Sequence, residues 1–238
     1  MNGTYENIDC MELMANLKDK EVDLAIVDPP YGIGFDSEKI LSTGKTKFGW
    51  NRKSSGYLKK KWDSKTPNED YFNELFRVSK NQIIWGANHY LSFLQSGGMI
   101  FWDKCISEKF TLGDGEIAWT NKDKIISKFV YRWSGFLKGD NGNQREDRIH
   151  PTQKPVKLYE WLLSNYAKPN DLILDTHCGS ASSLIACENL GFKYIASELD
   201  KDYYHQSLQR LEAHLSQGKL FQRVGRDQIQ LSQPSMFA

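Results

Sequence analysis

Short apolar runs recur along this chain, and nearly every one stops at a polar corner. Val22–Val27 stops at Asp28-Pro29-Pro30-Tyr31, Gln82–Trp85 at Gly86-Ala87-Asn88, and Gly98–Trp102 at Asp103-Lys104. Asp171–Leu174 leads into Asp175, and Lys193–Ala196 leads toward Glu198. Runs of this length read as buried strands. Gly115–Trp119 and Ser127–Trp133 read as a later pair. Helical patterns lie between them. Tyr71–Ser79 is amphipathic, and Val156–Tyr166 sets Leu158, Trp161, Leu162 and Tyr166 on helical spacing. Ser182–Gly191 closes on a glycine, a natural helix stop, and Lys201–Leu215 is helical as well. Strands alternating with helices predict an α/β fold with a mainly parallel sheet. Ligands of such sheets sit at the carboxyl ends of the strands, where every one of these corners lies.

Two stretches interrupt the alternation. Residues 36–65 and 134–148 are long, polar and rich in glycine, and loops of that length are usually functional or disordered. Beyond about Gly218 the tail reads as polar and poorly packed. There is no internal repeat, and 238 residues suit one domain, 1–238, with insertions.

Composition narrows the class. A hydrophobic content of 39% supports a real core. No apolar run approaches the roughly 20 residues that span a bilayer, and MNGTYENIDC lacks the plan of a signal peptide. Cys10, Cys105, Cys178 and Cys187 form no CxxC pair, which argues against a zinc site and a disulfide scaffold. Each cysteine is expected to be a buried small hydrophobe in a reducing, cytoplasmic protein.

The net charge of +1 says little about partners, but its distribution says more. Nine Lys and Arg residues crowd Lys39 to Lys65, with Phe48, Trp50, Tyr57 and Trp62 among them. Basic residues interleaved with aromatics suit phosphate contacts and base stacking. Lys45, Lys47, Trp50, Arg52, Lys53, Lys59 and Lys60 are therefore candidate nucleic-acid contacts. Phe136–Arg148 adds Asn143, Arg145 and Arg148, side-chain types that read base edges.

The corner Asp28-Pro29-Pro30-Tyr31 is stiff. Pro30 fixes its own φ, and pushes Pro29 out of the helical region. A carboxylate and a phenol are thus held in set directions, and Gly32 and Gly34 let the chain bend immediately afterwards. A second constellation runs from Asp171 to Ala186. A strand ends in Asp175, passes through Cys178-Gly179-Ser180-Ala181-Ser182 and enters a helix. Small residues allow close approach to the backbone, and a helix N-terminus favours a carboxylate. Glu198 follows at roughly the 20-residue spacing from which an acid can hold a ribose diol.

Taken together, DPPY at 28–31 and Asp-x-x-x-Gly-Ser-x-Ser at 175–182 resemble the S-adenosylmethionine-dependent DNA amino-methyltransferases. The catalytic half precedes the cofactor half, and HPTQKP (150–155) precedes the cofactor strand, an order similar to the beta class. IIWGANHY, MIFWDK and EIAWT resemble the family too, over roughly residues 5 to 212. The resemblance implies a Rossmann-like methyltransferase fold, with helices on both faces of the sheet and a permuted motif order. It implies S-adenosylmethionine as cofactor and double-stranded DNA as partner, and it allows a cognate restriction endonuclease and a homodimer. Asp28 and the Pro29 carbonyl would accept hydrogen bonds from an exocyclic amine, Pro30 would hold the corner, and Tyr31 would stack on a flipped base. On the cofactor side, Glu198 would hold the ribose and Asp9 the adenine amine. Asp28, Asp175, His177, Cys178, Gly179 and Ser180 would line the methionine part, with Thr152 and Lys154 approaching its carboxylate. The family usually has Phe where His177 stands and Gly where Ala181 stands; Ala181 packs closely if its φ is negative. N6-adenine is the expected target. N4-cytosine methylation, and a non-catalytic DNA-binding relic, are the alternatives.

Overall fold

The computed structural model describes residues 1–34, 60, 63–105, 114–134, 137–138 and 148–230. In chain order the strands are β1 (Thr4–Glu6), β2 (Val22–Val27), β3 (Ser79–Trp85), β4 (Gly98–Asp103), β5 (Gly115–Thr120) and β6 (Ile126–Val130). A two-residue pair follows, β7 (Trp133–Ser134) and β8 (Leu137–Lys138), then β9 (Leu172–Asp175) and β10 (Lys193–Ser197). The helices are α1 (Cys10–Ala15), α2 (Glu69–Val78), α3 (Val156–Tyr166), α4 (Ser182–Leu190) and α5 (Lys201–Gln230).

Among the described residues eight strands form one sheet in the order β1-β10-β9-β2-β3-β5-β4-β6. Five of its pairings are parallel: β1 with β10, β10 with β9, β9 with β2, β2 with β3, and β4 with β6. Only β5 runs against its neighbours, antiparallel to both β3 and β4. Its amino end therefore lies at the same edge as the carboxyl ends of the others. The sequence reading had Gly115–Trp119 and Ser127–Trp133 as a pair. Instead β4 lies between them, giving one of its edges to each.

Strand side chains alternate between two cores because successive residues point to opposite faces. Leu24 and Ile26 of β2, with Ile83 and Trp85 of β3, face a cluster built from α3, α4 and α5. Ala25, Val27 and Ile84 face the opposite cluster, built from α1 and α2. Both faces are covered, which is why β2 reads as an unbroken apolar run. This is a Rossmann-like α/β fold, mainly parallel with helices on both faces.

Three local expectations need correction. Cys178 and Cys187 are buried, but Cys10 is only partly so and Cys105 is exposed. Cys105 sits in a left-handed turn (φ 50°) just beyond β4, outside the core. Helix α5 does not stop near Gly218 but continues to Gln230. A glycine inside a helix costs about 1 kcal/mol, which weakens it without ending it. Ala181 has φ 60°, so the negative φ on which its close packing was made conditional is not met. Among the described residues, no helix is long and apolar enough to cross a membrane.

Candidate active site

The corner after β2 is built by its neighbours. Val27 pairs with Ile84, so Asp28 leaves the sheet beside Trp85, with Gly86 just beyond at the carboxyl edge. Gly86 adopts φ +72°, and a Cβ there would fall 2.3 Å from the Tyr31 ring. Only glycine lets Tyr31 lie this close to the strand. The Tyr31 ring stacks on His89 at 5.0 Å between centroids, and its hydroxyl donates to Asp28 Oδ1 at 2.6 Å. The Tyr90 hydroxyl lies 2.8 Å from the Pro29 carbonyl and 2.5 Å from that of Pro30, fixing the directions of both. Buried Asp63 closes the loop beyond, accepting from Gly32 N at 2.9 Å.

Behind Asp28 lies a row of alternating charges. Lys154 Nζ donates to Asp28 Oδ2 and sits 3.0 Å from Glu116 Oε2. Lys104 ion-pairs with the other oxygen of Glu116. The Lys154 side chain is only 3% exposed, so its charge depends on these partners. Burial alone would lower the Lys154 ammonium, but Asp28 and Glu116 outweigh it and hold it above its ordinary value. Burial alone would raise the Glu116 carboxyl, yet Lys154 and Lys104 bring it down to about 2. Asp28 is raised, by burial first and by Glu116 second, against the pull of Lys154. Glu116 reaches this edge only because β5 runs antiparallel.

A cleft of about 860 Å³ opens beside the corner. It is lined by Asp28 and Pro30 of the corner, by Thr152 and Lys154, and by Asp9, His177, Cys178, Gly179, Ser180 and Glu198. Asp9 is exposed and caps α1, accepting from Met11 N at 2.7 Å. Glu198 clamps the turn, accepting from Gly179 N at 2.8 Å and Asp200 N at 2.9 Å. Burial raises its carboxyl, and those N–H groups oppose the rise. Arg210 of α5 donates to the Ser180 carbonyl at 2.6 Å and holds the turn from behind.

Asp175 does not line the cleft. Its carboxylate points into the turn, accepting from His177 N at 3.0 Å and from the Ser183 hydroxyl. Burial pushes it up to about 7. His177 presents its ring edge to Tyr71 at 5.3 Å, and burial lowers it to about 4, so it is neutral near pH 7. The chain turns so sharply at Gly179 (φ +53°) and Ala181 that Ala181 is driven into the left-handed region.

Of the expected DNA contacts, Lys45, Lys47, Trp50, Arg52, Lys53, Lys59, Asn143 and Arg145 lie outside the described residues. Lys60 lines the cleft and pairs with Asp200 at 2.7 Å and Asp202 at 2.6 Å. Arg148 packs over the Trp133 ring at 5.1 Å. Sequence reasoning missed Glu116, Tyr90 and Arg210. Glu116 was visible in EIAWT, but only the antiparallel direction of β5 gives it a role.

Comparison with known proteins agrees with this geometry. A family model described as DNA methylase, of the N6/N4 type, matches residues 113–209. The type II methyltransferase M2.LlaDCHI of Lactococcus lactis subsp. cremoris is 26% identical over 258 residues, 91% of this chain and 92% of the relative. M2.DpnII of Streptococcus pneumoniae is 24% identical over 239 residues, 86% and 88% of the two chains. The chain is thus similar to the N6/N4 DNA methylases, through the family model over residues 113–209 and through relatives along most of its length. The protein shares its fold with M1.HpyAVI, solved as a complex with SAM, at a TM-score of 0.55 and 21% identity over 87% of this chain and 99% of that one. It also shares it with the cytosine-N4-specific PvuII methyltransferase, at 0.57 and 15% identity over 87% and 86%. In this protein Asp28 and Pro30 of the DPPY corner and the small-residue turn at 177–180 line one cleft.

Proposed function

We propose that this protein transfers a methyl group from S-adenosylmethionine to the N6 amine of an adenine flipped out of the DNA duplex. The observation that carries the reading is the shared cleft. Asp28 and Pro30 of the DPPY corner line it together with Glu198 and the 177–180 turn. The donor set fits the cofactor. Glu198 offers a carboxylate for ribose hydroxyls, exposed Asp9 can accept from an adenine amine, and the small-residue turn leaves room for a methionine chain. Thr152 lines the same cleft. Lys154 is engaged by Asp28 and Glu116, so its part is at the reacting carboxylate.

When bound, S-adenosylmethionine supplies a sulfonium methyl group whose bond to sulfur breaks with the electron pair staying on sulfur. The chain's own residues ready the amine. Its lone pair is delocalised into the base, so it is a poor nucleophile at rest. Asp28 accepts from one N–H and the Pro29 carbonyl accepts from the other, which draws density onto nitrogen. Pro29 has the capacity, because a carbonyl has two lone pairs and Tyr90 takes one. As the nitrogen–carbon bond forms, the nitrogen becomes cationic and gives a proton to Asp28. Tyr31 stacks on the base with the ring face turned from His89. Positioning provides most of the acceleration, and base flipping is what brings the amine within reach.

The Asp28 carboxylate supports adenine through the family resemblance. Segments 36–65 and 134–148 are the proposed recognition loops of a single domain spanning 1–238. The intact Asp28, Asp9 and Glu198 stand against a non-catalytic relic. The test is transfer from methyl-labelled S-adenosylmethionine to unmethylated duplex DNA, followed by nucleoside analysis, with Asp28→Ala as control. Label in N6-methyladenine that vanishes in the variant supports the reading. Label in N4-methylcytosine overturns the base assignment, and absence of label overturns the function.

A further inference from the structure

Glu116 belongs to no motif that identified the site, yet it sits one residue away from the reacting carboxylate. Its two oxygens face two different lysines, Lys104 on one side and Lys154 on the other. Lys154 in turn faces Asp28. The row Lys104–Glu116–Lys154–Asp28 draws on the segment after β4, on β5, on the turn before α3 and on the corner after β2. Glu116 Oε2 is also 3.4 Å from the Tyr31 hydroxyl, which itself donates to Asp28. Both routes out of Glu116 therefore end on Asp28.

We propose that Glu116 is a positioning residue that acts through Lys154 and Tyr31 to set the orientation and charge balance of the Asp28 carboxylate. The inference rests on the reading of Asp28 as the group that accepts from the substrate amine. Without Glu116, buried Lys154 would have Asp28 as its one carboxylate partner and would pull on it undivided. An ion-paired carboxylate accepts a proton less readily. With Glu116 present the ammonium is shared, and the second negative charge favours proton uptake by Asp28. Asp28 stays anchored in direction while remaining basic enough to take the proton released as the amine is methylated.

The groups that bear on Asp28 come from every side. They are Lys154 and Glu116 behind it, Tyr31 in its own corner, Tyr90 after β3, Tyr159 on α3 and Asp175 at the end of β9. Of these, Glu116 can be neutralised with least disturbance. Glu116→Gln keeps the shape and leaves an amide oxygen for Lys154. Lys104→Met removes the far cation and leaves Glu116 to act on Asp28 less compensated. The two changes should move Asp28 in opposite directions, which no general loss of folding can mimic.

The experiment measures two things on wild type, E116Q and K104M. One is the single-turnover methyl-transfer rate against pH, with saturating cofactor and duplex DNA. The other is the Asp28 carboxyl carbon shift against pH in the free protein, by NMR, assigned with Asp28→Asn. In E116Q the acid limb should move down by roughly 0.5 to 1 pH unit. The plateau rate should fall about 2- to 10-fold, because a weaker base transfers the proton less well. In K104M the limb should move up. The NMR titration should shift the same way in each, as a property of the cluster. Superimposable titrations, or both variants shifting in one direction, would overturn the proposal. A wild type that transfers nothing would overturn the functional reading, while the NMR titration would still decide whether Glu116 governs Asp28.

Discussion

At the corner after β2 charge holds the groups in place, whereas at the turn over 177–180 the backbone does. Asp28 is fixed by a lysine, a second carboxylate and a further lysine, in a row where no charge is without its opposite. The turn at 177–180 is fixed by N–H groups donated to Glu198 and Asp175, by Arg210 on a carbonyl, and by a neutral His177. The two halves should therefore fail differently. A charge row is sensitive to removal of any one charge, because the remainder is left buried and uncompensated. A backbone turn tolerates such changes and is sensitive to conformation.

The strongest way to break the comparison is at Lys154. Lys154→Met leaves Asp28 and Glu116 facing each other across an apolar group. It is expected to cost about 3 kcal/mol in denaturant unfolding, in line with the loss of one partner from a buried pair. Loss of less than about 1 kcal/mol would mean that the row contributes little.

The turn makes a different prediction, read in pH. Burial holds His177 near 4 and, with Lys154, His150 near 3, against an ordinary value of 6.5. Between about pH 4 and 6.5 the unfolded chain binds two protons that the folded protein does not, so stability rises with pH. Asp175, pushed up from 3.8 to about 7, works the other way, since the folded protein keeps a proton that the unfolded chain has released. Asp28 and Glu198, also raised by burial, act in the same direction as Asp175, so the contribution of His177 is read as a difference between variant and wild type. His177→Phe removes one of the two rising contributions. Its thermal midpoint, taken relative to that of the wild type, should therefore improve steadily as the pH falls from 6.5 to 4. Parallel curves would show that His177 does not titrate as its burial requires.

The smallest effect is expected at Ala181. Glycine there relieves a left-handed alanine, worth about 1 to 2 kcal/mol. It also loses a buried methyl and adds freedom to the unfolded chain. Ala181→Gly should change unfolding stability by under about 1 kcal/mol either way. Ala181→Val, branched in a left-handed turn, should lose more than that. If valine were as mild as glycine, the turn would not be the constraint.

Much of this was legible in the sequence. Val22–Val27 and Asp171–Leu174 announced strands because both their faces are buried, and the corners they end in are where chemistry sits. Asp28, Glu198 and the turn at 177–180 were legible because each motif is local in the chain. What was not legible depends on contacts across distance. Glu116 enters the site through the direction of β5, a property of pairing that no local pattern carries. Arg210 reaches Ser180 from the next helix. Lys154 lines the cleft as expected, but its pairing with Asp28 was not legible, because only folding brings the turn before α3 behind the β2 corner. Asp175 reads as a ligand by its place at a strand end, yet its carboxylate serves the turn itself.

The central claim is that Asp28 acts on the substrate amine and that Glu198 and the 177–180 turn hold the cofactor independently. The most direct test measures single-turnover methyl transfer to duplex DNA and calorimetric S-adenosylmethionine binding on the same preparations of Asp28→Asn and Glu198→Ala. For Asp28→Asn, transfer should fall by about 10³-fold or more, with cofactor affinity within roughly 3-fold of wild type, since Asp28 contributes shape and not the main clamp. For Glu198→Ala, cofactor affinity should itself fall by about 10- to 100-fold. Transfer that survives in Asp28→Asn, or cofactor binding lost there as completely as transfer, would contradict the account.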